Sequence, residues 1–385
     1  MRFATKSIHV GEIPGEDGHG SMDVVVPIHL ASTFARNKIE ELPYGYEYSR
    51  TENPTRRALE AKLAALEGGK YGLAFSSGMS SISSVLMSFV KPGETIIAFD
   101  DLYSGTKRIM NYFSNTYGIN IDYIDARVTE NVLKAIKRND RISLIWMETP
   151  TNPLLKICDI KAIAELSKSV SIPFVVDNTF LSPVFQNPLE KGADIVVHST
   201  TKYINGHSDS VGGALITSNE EYYEKLKYIQ NAAGTGLSPF DSYMVLRGIK
   251  TLHLRMQKHQ ENALALSQYL ASRNEIRKVY YPGLPCHSQH TFAKENMKGY
   301  GGIVTVDFTN SGTARKFVER LKLFHLAESL GGVESLVEIP SLMTHSSISV
   351  KERDLAGIRD SLVRLSVGIE DPIDLIADVE QALEE

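Results

Sequence analysis

The chain has 385 residues, 42% of them hydrophobic and 23% charged, which is ordinary for a globular protein with room for two or three packed units. Its formal net charge of −5 gives a nucleic-acid partner no electrostatic support, and no apolar run approaches the ~20 residues of a membrane span. The opening Met1-Arg2-Phe3-Ala4-Thr5-Lys6 lacks the apolar core of a signal peptide, and the two cysteines, Cys158 and Cys286, imply no disulfide framework, so a reducing cytoplasm is the expected location.

Residues 1 to 50 are rich in Gly, Pro and aromatics and read as irregular, with a loop expected between Gly11 and Gly20. The body begins at Asn53-Pro54-Thr55. Leu59, Leu63 and Leu66 follow at helical spacing, and Gly68-Gly69 stops that helix. Short apolar strands then alternate with helical stretches. The strands are Gly72-Leu73-Ala74-Phe75, Thr95-Ile96-Ile97-Ala98-Phe99, Ile119-Asn120-Ile121-Asp122-Tyr123, Ser143-Leu144-Ile145-Trp146-Met147, Phe174-Val175-Val176 and Ile195-Val196-Val197. Such alternation predicts a mainly parallel sheet covered on both faces, with ligands outside the carboxyl ends of its strands. Gly78, Glu148, Asp177 and Ser199 all fall there. Ser238-Pro239 opens a long helical stretch running towards Leu270, with Ser238 as cap and Pro239 in the first turn. A smaller α+β unit follows. Its strands are Gly302 to Phe308 and Leu362 to Val367, its helix Ala314 to Leu321, and Pro372 starts a closing helix.

The chemistry concentrates at His198-Ser199-Thr200-Thr201-Lys202-Tyr203, after the strand Asp194-Ile195-Val196-Val197. A lysine there suits an amine that attacks an aldehyde once desolvation or a nearby cation lowers its pKa. Ser199 and Thr201 offer hydroxyls to a phosphate. Upstream, another short strand ends in the carboxylate of Asp177. A lysine for the aldehyde and an acid for the ring nitrogen are what pyridoxal phosphate (PLP) needs, and the pair at this spacing points to that cofactor. Ser76-Ser77-Gly78-Met79, between a strand and a helix, suits close approach of a phosphate to helix-start N–H groups. Arg364 sits inside an apolar strand, where a charge is costly unless paired, as with an internal Asp or Glu. His287-Ser288-Gln289-His290 has a metal-like spacing without an acid or cysteine cluster and reads as a loop, so no metal site is expected.

These stretches resemble the PLP enzymes of cysteine and methionine metabolism, the family of cystathionine γ-synthase, cystathionine γ-lyase and methionine γ-lyase. The matching segments are Tyr48-Ser49-Arg50-Thr51-Glu52-Asn53-Pro54-Thr55, Ser76-Ser77-Gly78-Met79, Glu148-Thr149-Pro150-Thr151-Asn152-Pro153, Asp177-Asn178-Thr179-Phe180 and Ser199 to His207. Tyr281-Pro282-Gly283-Leu284-Pro285, Ala327-Glu328-Ser329-Leu330-Gly331-Gly332, Met343-Thr344-His345 and Arg364-Leu365-Ser366-Val367-Gly368 follow in order. The resemblance implies the aminotransferase-like α/β fold (PLP fold type I), a parallel-rich sheet domain with a smaller C-terminal α+β domain. It also implies an N-terminal arm over 1–52 reaching the neighbouring subunit, the PLP-binding domain over 53–237, the α+β domain over 238–385, and a homotetramer built as a dimer of dimers.

The same resemblance implies the residue roles. Lys202 carries the cofactor and moves protons, Asp177 holds the ring nitrogen, and Tyr103 stacks on the ring and also takes part in proton movement. Asn152 meets the ring hydroxyl. Gly78, Met79, Ser199 and Thr201 hold the phosphate, joined by Tyr48 and Arg50 of the neighbouring subunit. Arg364, Ser329 and Thr344 take the substrate carboxylate. Glu47 and Glu328 stand where cystathionine-handling members carry acids for the distal ammonium. Methionine γ-lyases typically have an apolar residue at the Glu328 position and a cysteine where this chain has Gly105. The implied activity is γ-elimination or γ-replacement on transsulfuration amino acids, with synthase and lyase equally open. Methionine γ-lyase, O-acetylhomoserine sulfhydrylase and a non-catalytic scaffold are the alternatives. One departure stands out: Glu52 occupies a position where the family usually has glycine, so a reshaped loop is expected if the glycine's backbone angle matters.

Overall fold

The computed structural model describes residues 1–15, 22–346 and 350–384, with the backbone alone at 352, 354 and 355. From residue 16 onward the loop expected up to Gly20 lies outside the described residues. Seven strands form the first sheet: β1 (Tyr71–Phe75), β2 (Thr95–Phe99), β3 (Asn120–Ile124), β4 (Ile142–Glu148), β5 (Phe174–Asp177), β6 (Ile195–His198) and β7 (Gly213–Thr217). Their order is β1-β7-β6-β5-β4-β2-β3. The run from β3 to β6 is parallel. β7 lies antiparallel to both β6 and β1, so β1 points the same way as β6. The C-terminal ends of β1, β4, β5 and β6 therefore share one edge of the sheet.

Alternation along the strands buries both faces. Leu73, Phe75 and Leu215 join one apolar cluster, while Ala74, Ala214 and Ile216 join another on the opposite face. The second cluster includes Leu59, Leu63 and Leu66 from the helix Pro54–Glu67. That helix starts where Asn53 accepts the N–H groups of Thr55 and Arg56, a cap worth about 1 kcal/mol. It ends at Gly68, whose φ of 79° is the left-handed conformation that glycine adopts without strain.

Five strands form the second sheet, in the order β10-β11-β12-β9-β8. They are β8 (Ile276–Tyr280), β9 (Ile303–Phe308), β10 (His325–Leu326), β11 (Leu336–Glu338) and β12 (Leu362–Ser366). Two expectations need correction. The first 50 residues are not wholly irregular: Phe3–His9 is a helix, tied down by the buried Lys62, which donates to the Ile8 carbonyl and pairs with Glu12. The stretch from Ser238 towards Leu270 is two helices, Pro239–Ile249 and Leu252–Ala271. At the break the Gly248 carbonyl accepts from Thr251 N–H and from the Arg255 guanidinium. Arg255 also donates to the carbonyls of Tyr203 and Ile204, fastening the second helix to the turn just after Lys202.

Candidate active site

A cavity of about 320 Å³ opens at the shared strand edge, between the two sheets. Gly78, Met79, Tyr103, Asn152, Asp177, Ser199, Thr201, Lys202, Glu328, Ser329, Thr344 and Arg364 all line it. The helix Gly78–Phe89 begins after β1, Asp177 closes β5, and Ser199 to Lys202 follow β6, so parallel strands aim these groups at one point. Arg364 comes from the middle of β12, in the other sheet.

Lys202 Nζ donates to Ser329 Oγ at 2.5 Å. Burial, with the Arg364 charge second, pulls the lysine down from 10.5 to about 8. The lowering raises the neutral fraction of the amine near neutrality far above that of an ordinary lysine, as a nucleophilic amine requires. Ser329 has a φ of 97°, a conformation that costs a residue with a side chain on the order of 1–3 kcal/mol. Its carbonyl takes Arg364 Nη2 at 2.7 Å and its hydroxyl takes the lysine, so the strained residue bridges both charged groups.

Asp177 is buried. Burial pushes its carboxyl up, while Thr179, which donates N–H at 3.0 Å and Oγ1 at 2.6 Å, and the nearby His198 pull it back down. Opposite it in the β4–β5 ladder stands Glu148. Its two oxygens accept the backbone N–H groups of Asn152 (3.0 Å) and Tyr103 (2.9 Å), which fixes two segments over the cavity. Burial first, and the Asp177 charge second, hold the Glu148 carboxyl well above the usual range.

The start of the helix Gly78–Phe89 faces the cavity beside Ser199. A Cβ on Gly78 would lie 2.9 Å from Ser199 Cβ, so only glycine keeps this cradle open. Ser77 Oγ accepts Ser80 N–H, and the first-turn N–H groups of Gly78 and Met79 stay outside the helical ladder. Thr201 Oγ1 donates to the Gly212 carbonyl at 3.2 Å and accepts Gly212 N–H at 3.0 Å, so it must turn from that carbonyl to donate elsewhere.

Arg364 is fully buried. Its Nη1 lies 3.0 Å from both Asn152 Oδ1 and Glu338 Oε1. Of the two partners that sequence leaves open, the internal acid is therefore present. The guanidinium Nε has no hydrogen-bond partner among the described residues. A buried donor without a partner is uncommon and calls for a physical reason.

Glu47, Tyr48 and Arg50 do not reach this cavity. Glu47 pairs with Arg36 at 2.7 Å on the surface, Arg50 Nε donates to Asn231 at 3.2 Å, and Tyr48 is exposed. The turn that carries them is nevertheless built firmly. Arg56 donates to the carbonyls of Ser49 and Arg50, and Glu52 binds Arg57 at 3.0 Å and Lys227 at 2.7 Å. Glu52 is not among the residues with positive φ, so a side chain here meets no glycine-only backbone. Its two cations pull its carboxyl below the usual range against the effect of burial.

The family described as Cys/Met metabolism PLP-dependent enzymes matches residues 4–384. The chain belongs to that family. It is 48% identical over 384 residues to a cystathionine gamma-lyase of Dictyostelium discoideum, covering 100% of this chain and 98% of the relative. It is 48% identical over 381 residues to a cystathionine gamma-synthase of Mycobacterium bovis, covering 99% and 96%. A crystal structure of metB from Corynebacterium glutamicum superposes with a TM-score of 0.95 at 47% identity, covering 100% of this chain and 98% of that one. The fold is the type I fold of these enzymes and the cofactor is PLP. The cavity fits it: a lysine with a lowered pKa, an acid for the ring nitrogen, and a glycine cradle at a helix start.

Two residues at or just behind this cavity carry no role in the sequence reading. Glu148 ends a strand in plain view, but its clamp on two distant N–H groups depends on tertiary structure. Glu338 lies on a three-residue strand, too short for a period, and only the β11–β12 register sets it opposite Arg364.

Proposed function

We propose that this enzyme makes or breaks the bond between sulfur and the γ-carbon of cystathionine-type amino acids. The observation that carries the proposal is a pair of opposite charges in one cavity with Lys202 beside them. Arg364 suits an α-carboxylate, and Glu328 suits a distant ammonium. PLP, when bound, supplies an aldehyde that links to an amine and a ring that draws electrons from the adjacent carbon. Lys202 would hold its aldehyde, and Asp177, as carboxylate, its ring nitrogen. Gly78, Met79, Ser199 and Thr201 would hold its phosphate, and Asn152 its ring hydroxyl.

The remaining steps belong to the side chains. Arg364, with Ser329 and Thr344, seats the α-carboxylate and so turns the α-hydrogen towards Lys202. The Nζ of Lys202, whose burial favours its neutral form, takes that proton and then moves a proton at the β-carbon. Ser329 Oγ accepts the amine between transfers. Tyr103 covers the site, and Glu328 steadies the far end of the substrate. We further infer that two copies share each site, because the arm carries Tyr48, Arg50 and Glu47 outward from its own cavity, as a donor to a neighbour would.

Relatives at equal identity bear the names synthase and lyase, so the products decide between them. Cystathionine alone should yield cysteine and 2-oxobutyrate in the lyase direction. An O-acylhomoserine with cysteine should yield cystathionine in the synthase direction. Homocysteine and pyruvate as the sole products would place the cleavage at the β-carbon and refute the proposal.

A further inference from the structure

Arg364 does not wait for substrate as a bare cation. Across the antiparallel β11–β12 ladder it faces Glu338 directly, and Nη1 lies 3.0 Å from Glu338 Oε1. The same Oε1 accepts the hydroxyl of Thr344 at 2.7 Å. Both partners line the cavity, but Glu338 lies behind them and is fully buried. It reaches a substrate only through those two residues.

Two atoms of the pair lack partners among the described residues: Nε of Arg364 and Oε2 of Glu338. A pair built purely for stability would satisfy both, since a buried unbonded carboxylate oxygen is costly. Here Nη1 of the guanidinium is answered by Glu338 from behind, while Nε makes no hydrogen bond among the described residues. Burial holds the Glu338 carboxyl above the usual range, and Arg364 opposes that shift. An incoming carboxylate thus meets an attraction from Arg364 and a repulsion from Glu338. Products of this chemistry carry the same carboxylate as the substrates, so too strong a clamp would retain them.

We propose that Glu338 is the counter-charge of Arg364 and moderates the hold on the carboxylates of substrate and product. It is a positioning residue, and the inference rests on reading Arg364 as the carboxylate clamp. Glu338→Gln tests it, because glutamine keeps an oxygen for Thr344 and Arg364 and removes the charge, its amide nitrogen replacing Oε2, which makes no bond among the described residues. The probes are L-2-aminobutyrate and 2-amino-1-butanol, the same skeleton with and without the carboxylate. Each competes against cystathionine turnover on the holoenzyme. Glu338→Gln should bind L-2-aminobutyrate roughly five- to twentyfold tighter, the scale of one nearby charge at intermediate dielectric. The alcohol should change by less than about twofold, because it offers the clamp no charge. KM and kcat for cystathionine should fall together as release slows, a pattern that mere loosening of the site does not produce.

Unchanged or weaker binding of L-2-aminobutyrate overturns the inference. Should the glutamine variant fail to hold cofactor, Glu338→Asp reads the same contrast. Its retreat from Arg364 by one methylene should tighten L-2-aminobutyrate by a smaller factor, and no change there also overturns the inference. Arg364→Lys separates the two readings. If its preference for the carboxylate probe over the alcohol is undiminished, the clamp reading fails and the role of Glu338 with it. If that preference collapses while Glu338→Gln changes nothing, the Glu338 inference fails alone.

Discussion

A Cβ on Gly105 would lie 2.4 Å from Cε1 of Tyr103 and 2.8 Å from Sδ of Met79, so the tyrosine ring occupies the space a side chain at Gly105 would take. Gly105 is in the first turn of the helix Ser104–Tyr117, and Tyr103 is the residue just before it. The helix thus sets the ring's tilt through one missing methyl group. The ring is partly exposed and can swing outward. Gly105→Ala should therefore fold but misplace Tyr103, lowering kcat/KM for cystathionine by roughly ten- to a hundredfold. Steady-state kinetics with cofactor occupancy checked by absorbance measures this, and an unchanged kcat/KM would deny the ring a positional role.

The position of Lys202 gives a pH prediction with a definite sign. The neutral amine is the nucleophile, and its fraction rises as pH passes the folded pKa. Cofactor capture by apoenzyme should accelerate through a midpoint near the lowered value of about 8. Arg364 contributes to that lowering after burial, so Arg364→Gln should move the midpoint upward. Stopped-flow absorbance across the pH range follows the capture. A midpoint near the ordinary 10.5 would mean that the lysine is solvated in the apo state.

The outward-facing arm predicts complementation. Arg50→Ala and Lys202→Ala chains should each be weak alone. Mixed under conditions of proven subunit exchange, they should recover part of the activity, because one hybrid site would hold an intact set. No recovery would assign Arg50 to its own chain's cavity.

Glu328 lines the cavity and should select for a substrate with a distal ammonium. A charge-assisted contact contributes about 1.5–3 kcal/mol, so Glu328→Val should lower kcat/KM for cystathionine roughly ten- to a hundredfold. Methionine, which lacks that ammonium, should be used as well or better. Equal losses on both substrates would show that Glu328 supports the site without reading the substrate.

Much of the molecule is legible in the sequence where local chemistry and tertiary structure agree. The parallel strands announce themselves because both faces are buried, and several cavity-lining groups sit at their ends, where topology converges. Asn53-Pro54 and Ser238-Pro239 cap helices as their side chains dictate. β7 is less legible: its five residues Gly213–Thr217 open on a glycine, and only pairing with β6 on one side and β1 on the other makes them a strand. The internal pairing of Arg364 could be narrowed to two partners but not chosen, because Glu338 is 26 residues away on a strand of three. Glu52 looked costly from family pattern alone. Arg57, five residues on, is a foreseeable partner, but Lys227 is brought in by the fold.

The central claim is that Lys202 is the group that holds the cofactor and moves the substrate's protons. Borohydride reduction of the holoenzyme followed by peptide mass mapping tests it most directly. The account predicts a cofactor-derived mass on the peptide containing Lys202. Lys202→Ala should carry none and lose turnover by at least ~10²- to 10⁴-fold, the scale for losing a positioned acid–base group. A reduced cofactor on a different lysine, or a Lys202→Ala enzyme with near-normal turnover, would contradict it.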